Sequence, residues 1–440
     1  MDKISLEIKM SLYINEIRGV VNSEITNEFA SNLGNIIGNF VRSGKKVIVG
    51  RDINDPSQMI KRSITAGILA AGIDVIDFGV APIPTVHYGA DLYNTDVFVT
   101  VTASHMNPEE IDIKVFSNHE IPLTQRHAEK VSWDKVGQLS YVHDYVDKYL
   151  NAVLKNTEKK VISSRAPKVV IDCANGSAVQ FLPEILSRLG CDVILFGCQP
   201  TNVSTKKFAE PTPESVSLVS NLVNAVGADM GIAMDNDGDR VIFIDEKGNV
   251  IRDQTVLAIL AREALIENPE GTIVSSVTAS MSLDEIVSDH GSKLIKAPID
   301  CVLDEIIKNK AVFGGDDSGM YVFPQFQECF DAIFAAVKML EIVCKHNKTF
   351  STLVNEIPEY PRTVFSVDCE HDEKQKVLEN LEENLKGTGE IDTTEGIKMQ
   401  EEDSFVLVRP SRFEPLLRVY VEAKSSGKLQ KLSHDINKMM

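Results

Sequence analysis

Residues 168–196 read Lys168-Val169-Val170-Ile171-Asp172, a helical stretch through Phe181 to Leu189-Gly190, then Asp192-Val193-Ile194-Leu195-Phe196. A β-branched run, an amphipathic stretch ending at glycine and a second apolar run predict strand, helix and strand. The same unit occurs twice more. Lys46-Val47-Ile48-Val49-Gly50 leads through a helix near Ser57 to Ala71-Gly72 and Val75-Ile76-Asp77-Phe78. Thr272-Ile273-Val274 leads past Leu283 to His290-Gly291 and Lys293-Leu294-Ile295. Copies roughly 100–120 residues apart are too widely spaced for a solenoid and suit repeated domains. Apolar strands joined by helices predict sheets covered on both faces, hence three related α/β domains in series with mixed sheets covered by helices.

Toward the C-terminus the pattern changes. A strand at 364–367, a charged helix over about 373–385, Gly-rich turns, strands at 405–408 and 417–421, and a last helix from about Lys428 predict a smaller C-terminal α+β domain. Linkers are expected at the polar, basic stretch 155–167, near Arg252-Asp253, and at Pro358-Glu359-Tyr360-Pro361-Arg362. The expected division is therefore 1–154, 155–252, 253–357 and 358–440.

Composition narrows the function classes. The 440 residues carry 45 Lys plus Arg against 64 Asp plus Glu, a formal charge of −19, with 43% hydrophobic and 25% charged residues. That is ordinary for a globular chain. Its negative field repels nucleic acid and anionic membrane, so neither is an expected partner, and an anionic ligand needs a local cationic site. The seven cysteines form no C-x-x-C pair and read as buried thiols of a reducing compartment. The mixed-charge start, Met1-Asp2-Lys3-Ile4-Ser5-Leu6-Glu7, and the lack of a long apolar run give cytoplasmic residence as the expectation.

Four segments carry candidate chemistry. Asp235-Asn236-Asp237-Gly238-Asp239-Arg240 lies between the apolar runs Met230-Gly231-Ile232-Ala233-Met234 and Val241-Ile242-Phe243-Ile244. Carboxylates at i, i+2 and i+4 of an extended backbone point to one side, and Gly238 permits the curvature that brings them together, an arrangement suited to Mg²⁺. An EF-hand would use Asp235, Asp237, Asp239 and Glu246, but Arg240 occupies the position that needs glycine. A solvated acidic turn is the plainer reading. Thr102-Ala103-Ser104-His105 follows the apolar run 97–101 and precedes a strand carrying Lys114. A serine there can act as a nucleophile or phosphate carrier when a cation neutralises it, and it can equally cap a turn. Arg409-Pro410-Ser411-Arg412-Phe413-Glu414-Pro415, with Arg418, concentrates guanidiniums suited to phosphate. An exposed turn paired with Glu414 and Glu422 is the alternative. Gly314-Gly315-Asp316-Asp317-Ser318-Gly319 offers short polar side chains on a close-approach backbone, suited to sugar hydroxyls.

Taken together, in this order and spacing, the four segments resemble the α-D-phosphohexomutase superfamily (phosphoglucomutase, phosphomannomutase and phosphoglucosamine mutase) over essentially the whole chain. Thr102 to His105 is similar to its phosphoserine loop, and Lys114 to its general acid/base lysine. Asp235 to Arg240 resembles D-G-D-G-D-R, Gly314 to Gly319 resembles G-G-E-x-S-G, and Arg409 to Arg418 resembles R-P-S-G-T-E-P-x-x-R. The resemblance implies four domains around a central cleft and a mutase that interconverts sugar 1-phosphate and 6-phosphate. It implies catalytic roles for Ser104, His105, Lys114, Arg18 and Arg240, with Mg²⁺ held by Ser104, Asp235, Asp237 and Asp239. Asp316 and Ser318 would bind the sugar, and Arg409, Ser411 and Arg418 the non-reacting phosphate. A sugar 1,6-bisphosphate would be the activator and a small phosphosugar the partner, with oligomeric state left open.

The departures fall around the substrate. The F-G-T-x-G-I-R-G opening survives only as Ile17-Arg18-Gly19, the Asn-Gly before the lysine is Ile111-Asp112, and the sugar-loop Glu is Asp316. Gly and Thr of the phosphate loop are Arg412 and Phe413, and a V-G-D turn is Pro298-Ile299-Asp300. The chemistry is thus more legible than the sugar, for which the chain leans toward phosphoglucosamine mutase, with mannose, glucose or pentose phosphates as alternatives. A catalytically weak phosphosugar-binding paralogue with a regulatory role is the second reading. A phosphatase using Asp235 and Asp237 is disfavoured because it leaves Ser104 and the Arg409 loop without roles.

Overall fold

The structure, a computed structural model, describes residues 7–10, 14–41, 44–104, 107–117, 121, 129–200, 215–411 and 414–440. The chain forms two compact units, Met1–Arg252 with Ser318–Leu353, and Asp253–Asp317 with Val354–Met440. All three predicted strand–helix–strand units are present, and in each the two strands pair in parallel: Val47–Arg51 with Val75–Val80, Lys168–Asp172 with Asp192–Phe196, and Thr272–Ser276 with Lys293–Ala297. A helix in each return connection makes parallel pairing possible.

In the first unit a seven-stranded mixed sheet has the order Glu7–Met10, Ile14–Val20, Glu110–Ser117, Val97–Ala103, Val47–Arg51, Val75–Val80, Leu139–Tyr141. Alternation along its strands sends Ile17, Val99, Val101, Ile113 and Val115 into one core and places Thr100, Thr102, Asp112 and Lys114 on the opposite face, together with the buried Ile48, Phe98 and Phe116. The helices Asn27–Phe40 and Asp55–Ala70 pack together over that core. They cross closely because Gly34 and Gly67 face the partner backbone: a Cβ would lie 2.1 Å from Ile64 O and 2.0 Å from Ser31 O. A second sheet places Met230–Met234 beside Lys168–Asp172 in parallel and beside Val241–Asp245 in antiparallel pairing. The long helix Ala332–Lys345 is capped by Asp331 and is almost wholly buried.

Asp331 fastens that helix. It is 1% exposed and accepts from Phe334 N (2.9 Å), Tyr149 Oη (2.8 Å to Oδ2) and Gln327 Nε2 (2.6 Å). Burial pushes its carboxyl up to about 6 despite these donors. The folded protein therefore retains the Asp331 proton up to about pH 6, whereas the unfolded chain releases it near pH 4. Bound protons then favour the folded state at low pH, and this contribution falls as pH rises from about 4 to 6. Urea titrations across that window should find a flatter profile for Asp331→Asn. Asp331→Ala should cost roughly 3 kcal/mol or more, since the cap is lost and two buried donors are orphaned.

In the second unit the parallel strands Lys293–Ala297, Thr272–Ser276 and Phe313–Gly315 precede a five-stranded antiparallel sheet. Its order is Arg362–Asp368, Leu416–Ala423, Ser404–Pro410, Ile397–Gln400, Glu390–Asp392. The helices Lys374–Leu385 and Ser426–Met439 contribute Leu378, Leu381, Leu385 and Ile436 to its core.

Three expectations need correction. Stretch 155–167 is not a plain linker, because it contains the helix Lys159–Arg165, with Ile162 buried and Arg165 Nη1 donating to Val343 O at 2.9 Å. The Gly-rich turns of the last domain contain the strands Glu390–Asp392 and Ile397–Gln400. All seven cysteines are free thiols, but Cys191, Cys198 and Cys301 are only partly buried. Among the described residues no helix is long and apolar enough to cross a membrane.

Candidate active site

The strands Val97–Ala103 and Glu110–Ser117 form an antiparallel ladder in which Thr102 faces Asp112 and Thr100 faces Lys114. Ser104 N donates to Glu110 O (3.1 Å), which continues the ladder by one rung past the strand. Period-two alternation then sets Ser104, Thr102, Thr100, Glu110, Asp112 and Lys114 on one face, opposite the apolar core. The neighbouring strand Ile14–Val20 adds Arg18 opposite Asp112 and Glu16 opposite Lys114. Arg18 grips Asp112 through Nε to Oδ1 (2.6 Å) and Nη2 to Oδ2 (3.0 Å), and also reaches Glu16 (3.0 Å). Ile111-Asp112 in place of Asn-Gly thus has a physical account: Ile111 joins the core while Asp112 holds Arg18. Burial pushes the Asp112 carboxyl up, with Arg18 opposing.

Asp52 supports this strand end and was not singled out from sequence. Fully buried, it accepts from Ala103 N (2.7 Å), the residue before Ser104, and from Asn54 N and Nδ2 (3.0 and 2.6 Å). Burial raises its carboxyl. The available signal was a charged Arg51-Asp52 pair ending an apolar strand just before a helix start.

The acidic loop sits at the turn of the hairpin Met230–Met234/Val241–Asp245. Asp235, Asp237 and Asp239 are all buried, and each offers a carboxylate oxygen such that the three lie within 4.8 Å of one another. Gly238 adopts φ +79°, and a Cβ there would come 2.9 Å from Pro82 Cβ. Asp235 Oδ1 accepts from Gly238 N (2.8 Å) and Arg240 N (3.3 Å), which curls the loop. Three consecutive carbonyls are then held from outside. Asn236 O accepts from Ser177 N (2.9 Å), Asp237 O from Ile83 N (2.8 Å) and Gly238 O from Ala332 N (3.2 Å). Each donor is the first residue of a helical segment, so three positive helix ends converge on an acidic loop. Gly176 lets the first approach: a Cβ would lie 2.5 Å from Asn236 O.

Lys114 joins the serine hairpin to this loop, with Nζ 2.9 Å from Asp239 Oδ2 and 3.5 Å from Asp237 Oδ2. Burial alone would depress the ammonium, but Asp239, Asp237, Glu16 and Asp112 hold it well above its ordinary value. Burial, then repulsion from Asp237 and Asp239, pushes Asp235 far up. Burial and Asp237 also work against an ionised Asp239, yet Lys114 and Arg240 help to keep it below the usual range. Lys114 and Arg240 together do not balance three ionised carboxylates, and Asp239 Oδ1 is buried with no hydrogen-bond donor among the described residues. All-oxygen ligands, close spacing and excess negative charge fit a hard divalent cation. Glu246, which an EF-hand would require here, instead accepts from Ser351 N (3.0 Å) and Ser351 Oγ.

In the second unit Asp316 is buried, and Asp317 accepts from Thr278 Oγ1 (2.5 Å) and from Arg362 Nη2 (2.8 Å). Ser318, in the first unit, is exposed. Arg409 and Arg418 face each other across the ladder of Ser404–Pro410 and Leu416–Ala423. Arg418 Nη2 pairs with Glu414 (2.6 Å), and Ser411 Oγ accepts from Glu414 N (3.2 Å). Lys374, unnoticed in the sequence, donates to Ser411 O and Glu414 O, both at 2.6 Å. It thereby ties Ser411 to Glu414. His105, Arg412 and Phe413 lie outside the described residues. Thus Lys114, Asp235, Asp237 and Asp239 are brought together, Arg18 and Ser104 share the lysine's face, and Arg409, Ser411 and Arg418 share one hairpin.

Family models for the phosphoglucomutase/phosphomannomutase α/β/α domains I, II and III match residues 10–134, 147–248 and 252–360, and that for the C-terminal domain matches 367–439. The chain belongs to the phosphoglucomutase/phosphomannomutase family. A phosphoglucomutase/phosphomannomutase of Thermococcus kodakarensis is 34% identical over 430 residues, covering 94% of each chain. A probable phosphoglucosamine mutase of Methanobrevibacter smithii is 34% identical over 442 residues, covering 96% of this chain and 97% of its own. The crystal structure of a phosphoglucomutase/phosphomannomutase family protein from Burkholderia thailandensis shares the fold with a TM-score of 0.86 at 24% identity, covering 97% of this chain and 96% of that one. This family member accordingly has the four-domain α/β architecture that its three repeats and smaller last domain imply.

Proposed function

We propose that the protein is a phosphosugar mutase that interconverts sugar 1-phosphates and 6-phosphates through a phosphoserine at Ser104 and a bound sugar 1,6-bisphosphate. The observation that carries the reading is Lys114, which sits on the Ser104 face and bonds to the acidic loop at 2.9 Å. Asp235, Asp237 and Asp239 would hold Mg²⁺, with the phosphorylated Ser104 as a further ligand. Bound there, the ion supplies positive charge that offsets the charge of the transferring phosphoryl group.

The chain's own groups do the rest. Ser104 Oγ carries the phosphoryl group to and from the sugar, and the backbone bonds of Ala103 and Ser104 fix where that oxygen sits. Lys114, held protonated by its carboxylate neighbours, is placed to hold or move the proton of the reacting hydroxyl. Arg240, beginning the strand exit of the acidic loop, and Arg18, fixed by Asp112, add positive charge around it. Asp316 and Ser318 are assigned to sugar hydroxyls, and Arg409, Ser411 and Arg418 to the non-reacting phosphate, so that either end of the sugar can be presented to one chemical site. Among substrates we favour glucosamine phosphate, then mannose and glucose phosphates, in line with the names of the relatives.

A coupled assay with glucosamine, mannose, glucose and ribose 1-phosphates, each with Mg²⁺ and trace 1,6-bisphosphate, tests this. The expected result is turnover of at least one hexose phosphate that depends on both additions. No turnover of any of the four would reject the reading.

A further inference from the structure

We propose that Glu395 is a positioning residue for Arg409, holding the guanidinium by one edge so that its far end is presented to a phosphate; this rests on Arg409 being a phosphate ligand, as argued above. The turn between Glu390–Asp392 and Ile397–Gln400 delivers Glu395. Asp392 Oδ1 accepts from Thr394 N (2.8 Å), and Gly396 at φ +84° lets the turn lie on the backbone of the neighbouring strand. A Cβ at Gly396 would fall 2.2 Å from Val408 O and 2.8 Å from Arg409 Cα.

One oxygen of Glu395 takes two donors of Arg409, Nε at 2.8 Å and Nη2 at 2.6 Å. The other oxygen accepts from Ile299 N at 2.9 Å. The carboxylate is therefore anchored to a backbone amide of another segment and cannot simply follow the arginine. Both side chains are only 15% exposed. Burial disfavours the Arg409 charge, and Glu395 with Tyr420 more than offsets that. A guanidinium has five N–H donors; two go to Glu395 and the Tyr420 side chain also engages the group, which leaves further donors at the end away from Glu395 for phosphate oxygens.

The ladder explains why such a partner is needed. Arg409 and Arg418 are directly opposed, and like charges in that position repel. Each carries its own carboxylate, Glu395 for Arg409 and Glu414 for Arg418. A flexible arginine fixed in advance also loses less freedom when its ligand arrives. Ile299, where the family pattern has a glycine, contributes through its N–H, so that substitution leaves the anchor intact.

The test is a double-mutant cycle on the full chain, reading KM and kcat for whichever of glucosamine or mannose 1-phosphate the unchanged protein turns over. Arg409→Ala should raise KM by about 10- to 100-fold, the range for losing charge-assisted bonds to phosphate. Glu395→Ala should raise it by about 5- to 10-fold with kcat within about twofold, and the double variant should match Arg409→Ala alone. A Glu395 that merely stabilises the fold would lower the melting temperature and multiply its effect onto Arg409→Ala. That outcome, or an unchanged KM in Glu395→Ala, overturns the proposal. Should Glu395→Ala fail to fold, Glu395→Gln keeps the shape and must show a smaller shift in the same direction. An unchanged KM in Arg409→Ala itself would instead remove the phosphate-loop reading, and the proposal with it.

Discussion

Ser104→Ala should abolish interconversion, lowering kcat by about 10³-fold or more, while leaving the protein folded. Loss follows because, in the proposed reaction, Ser104 Oγ is the atom that bonds the phosphoryl group, and alanine has no oxygen to replace it. Folding should survive because the backbone at this position is held by bonds that alanine keeps. The ladder bond runs from Ser104 N to Glu110 O (3.1 Å), and the preceding amide is held by Asp52 at 2.7 Å. The hydroxyl donates in a long contact of 3.4 Å to Glu110 Oε2. Removing a single neutral hydroxyl typically costs about 1 kcal/mol, which should leave the variant folded. Unfolding curves and a coupled assay on the same preparation separate the two effects, and full activity in a folded Ser104→Ala protein would eliminate the phosphoserine.

Asp235→Asn should produce opposite changes in activity and in metal-free stability. Asparagine keeps an Oδ1 that can accept from Gly238 N and Arg240 N, so the loop retains its curl. What disappears is one of three buried carboxylates, pushed up by burial and then by repulsion from Asp237 and Asp239. In chelator, the variant should be at least as stable as the unchanged protein. Added Mg²⁺ should raise the melting temperature of the unchanged protein and not that of the variant, because ligand binding to the folded state stabilises it. Activity should fall by about 10²-fold or more. A variant less stable in chelator, or one stabilised by Mg²⁺ as much as the unchanged protein, would show that Asp235 is structural.

The sequence made the repeats legible because each is a complete local pattern: a β-branched run, a glycine-ended helix and another run. The helix Lys159–Arg165 escaped because its roughly two turns bury a single side chain, Ile162. It is held by remote groups, with Arg165 on Val343 O and Glu341 on Glu158 N. The short strands Glu390–Asp392 and Ile397–Gln400 escaped for a similar reason, since four residues or fewer acquire strand geometry only from a partner such as Ser404–Pro410.

The site divides in the same way. Asp235, Asp237 and Asp239 announce themselves by residue type and spacing. The three amides that clamp their loop do not, because Ile83, Ser177 and Ala332 act through backbone N–H groups that any residue but proline could supply. Lys374 and Glu395 look like ordinary surface charges in a chain of net charge −19, and only the fold shows what each one holds.

The central claim is that Ser104 carries a phosphoryl group. Peptide mass spectrometry after incubation of the full chain with Mg²⁺ and glucose 1,6-bisphosphate tests it most directly. The account predicts one phosphate on Ser104, removed on addition of excess hexose 6-phosphate; an unmodified Ser104, or phosphate on a different residue, would contradict it.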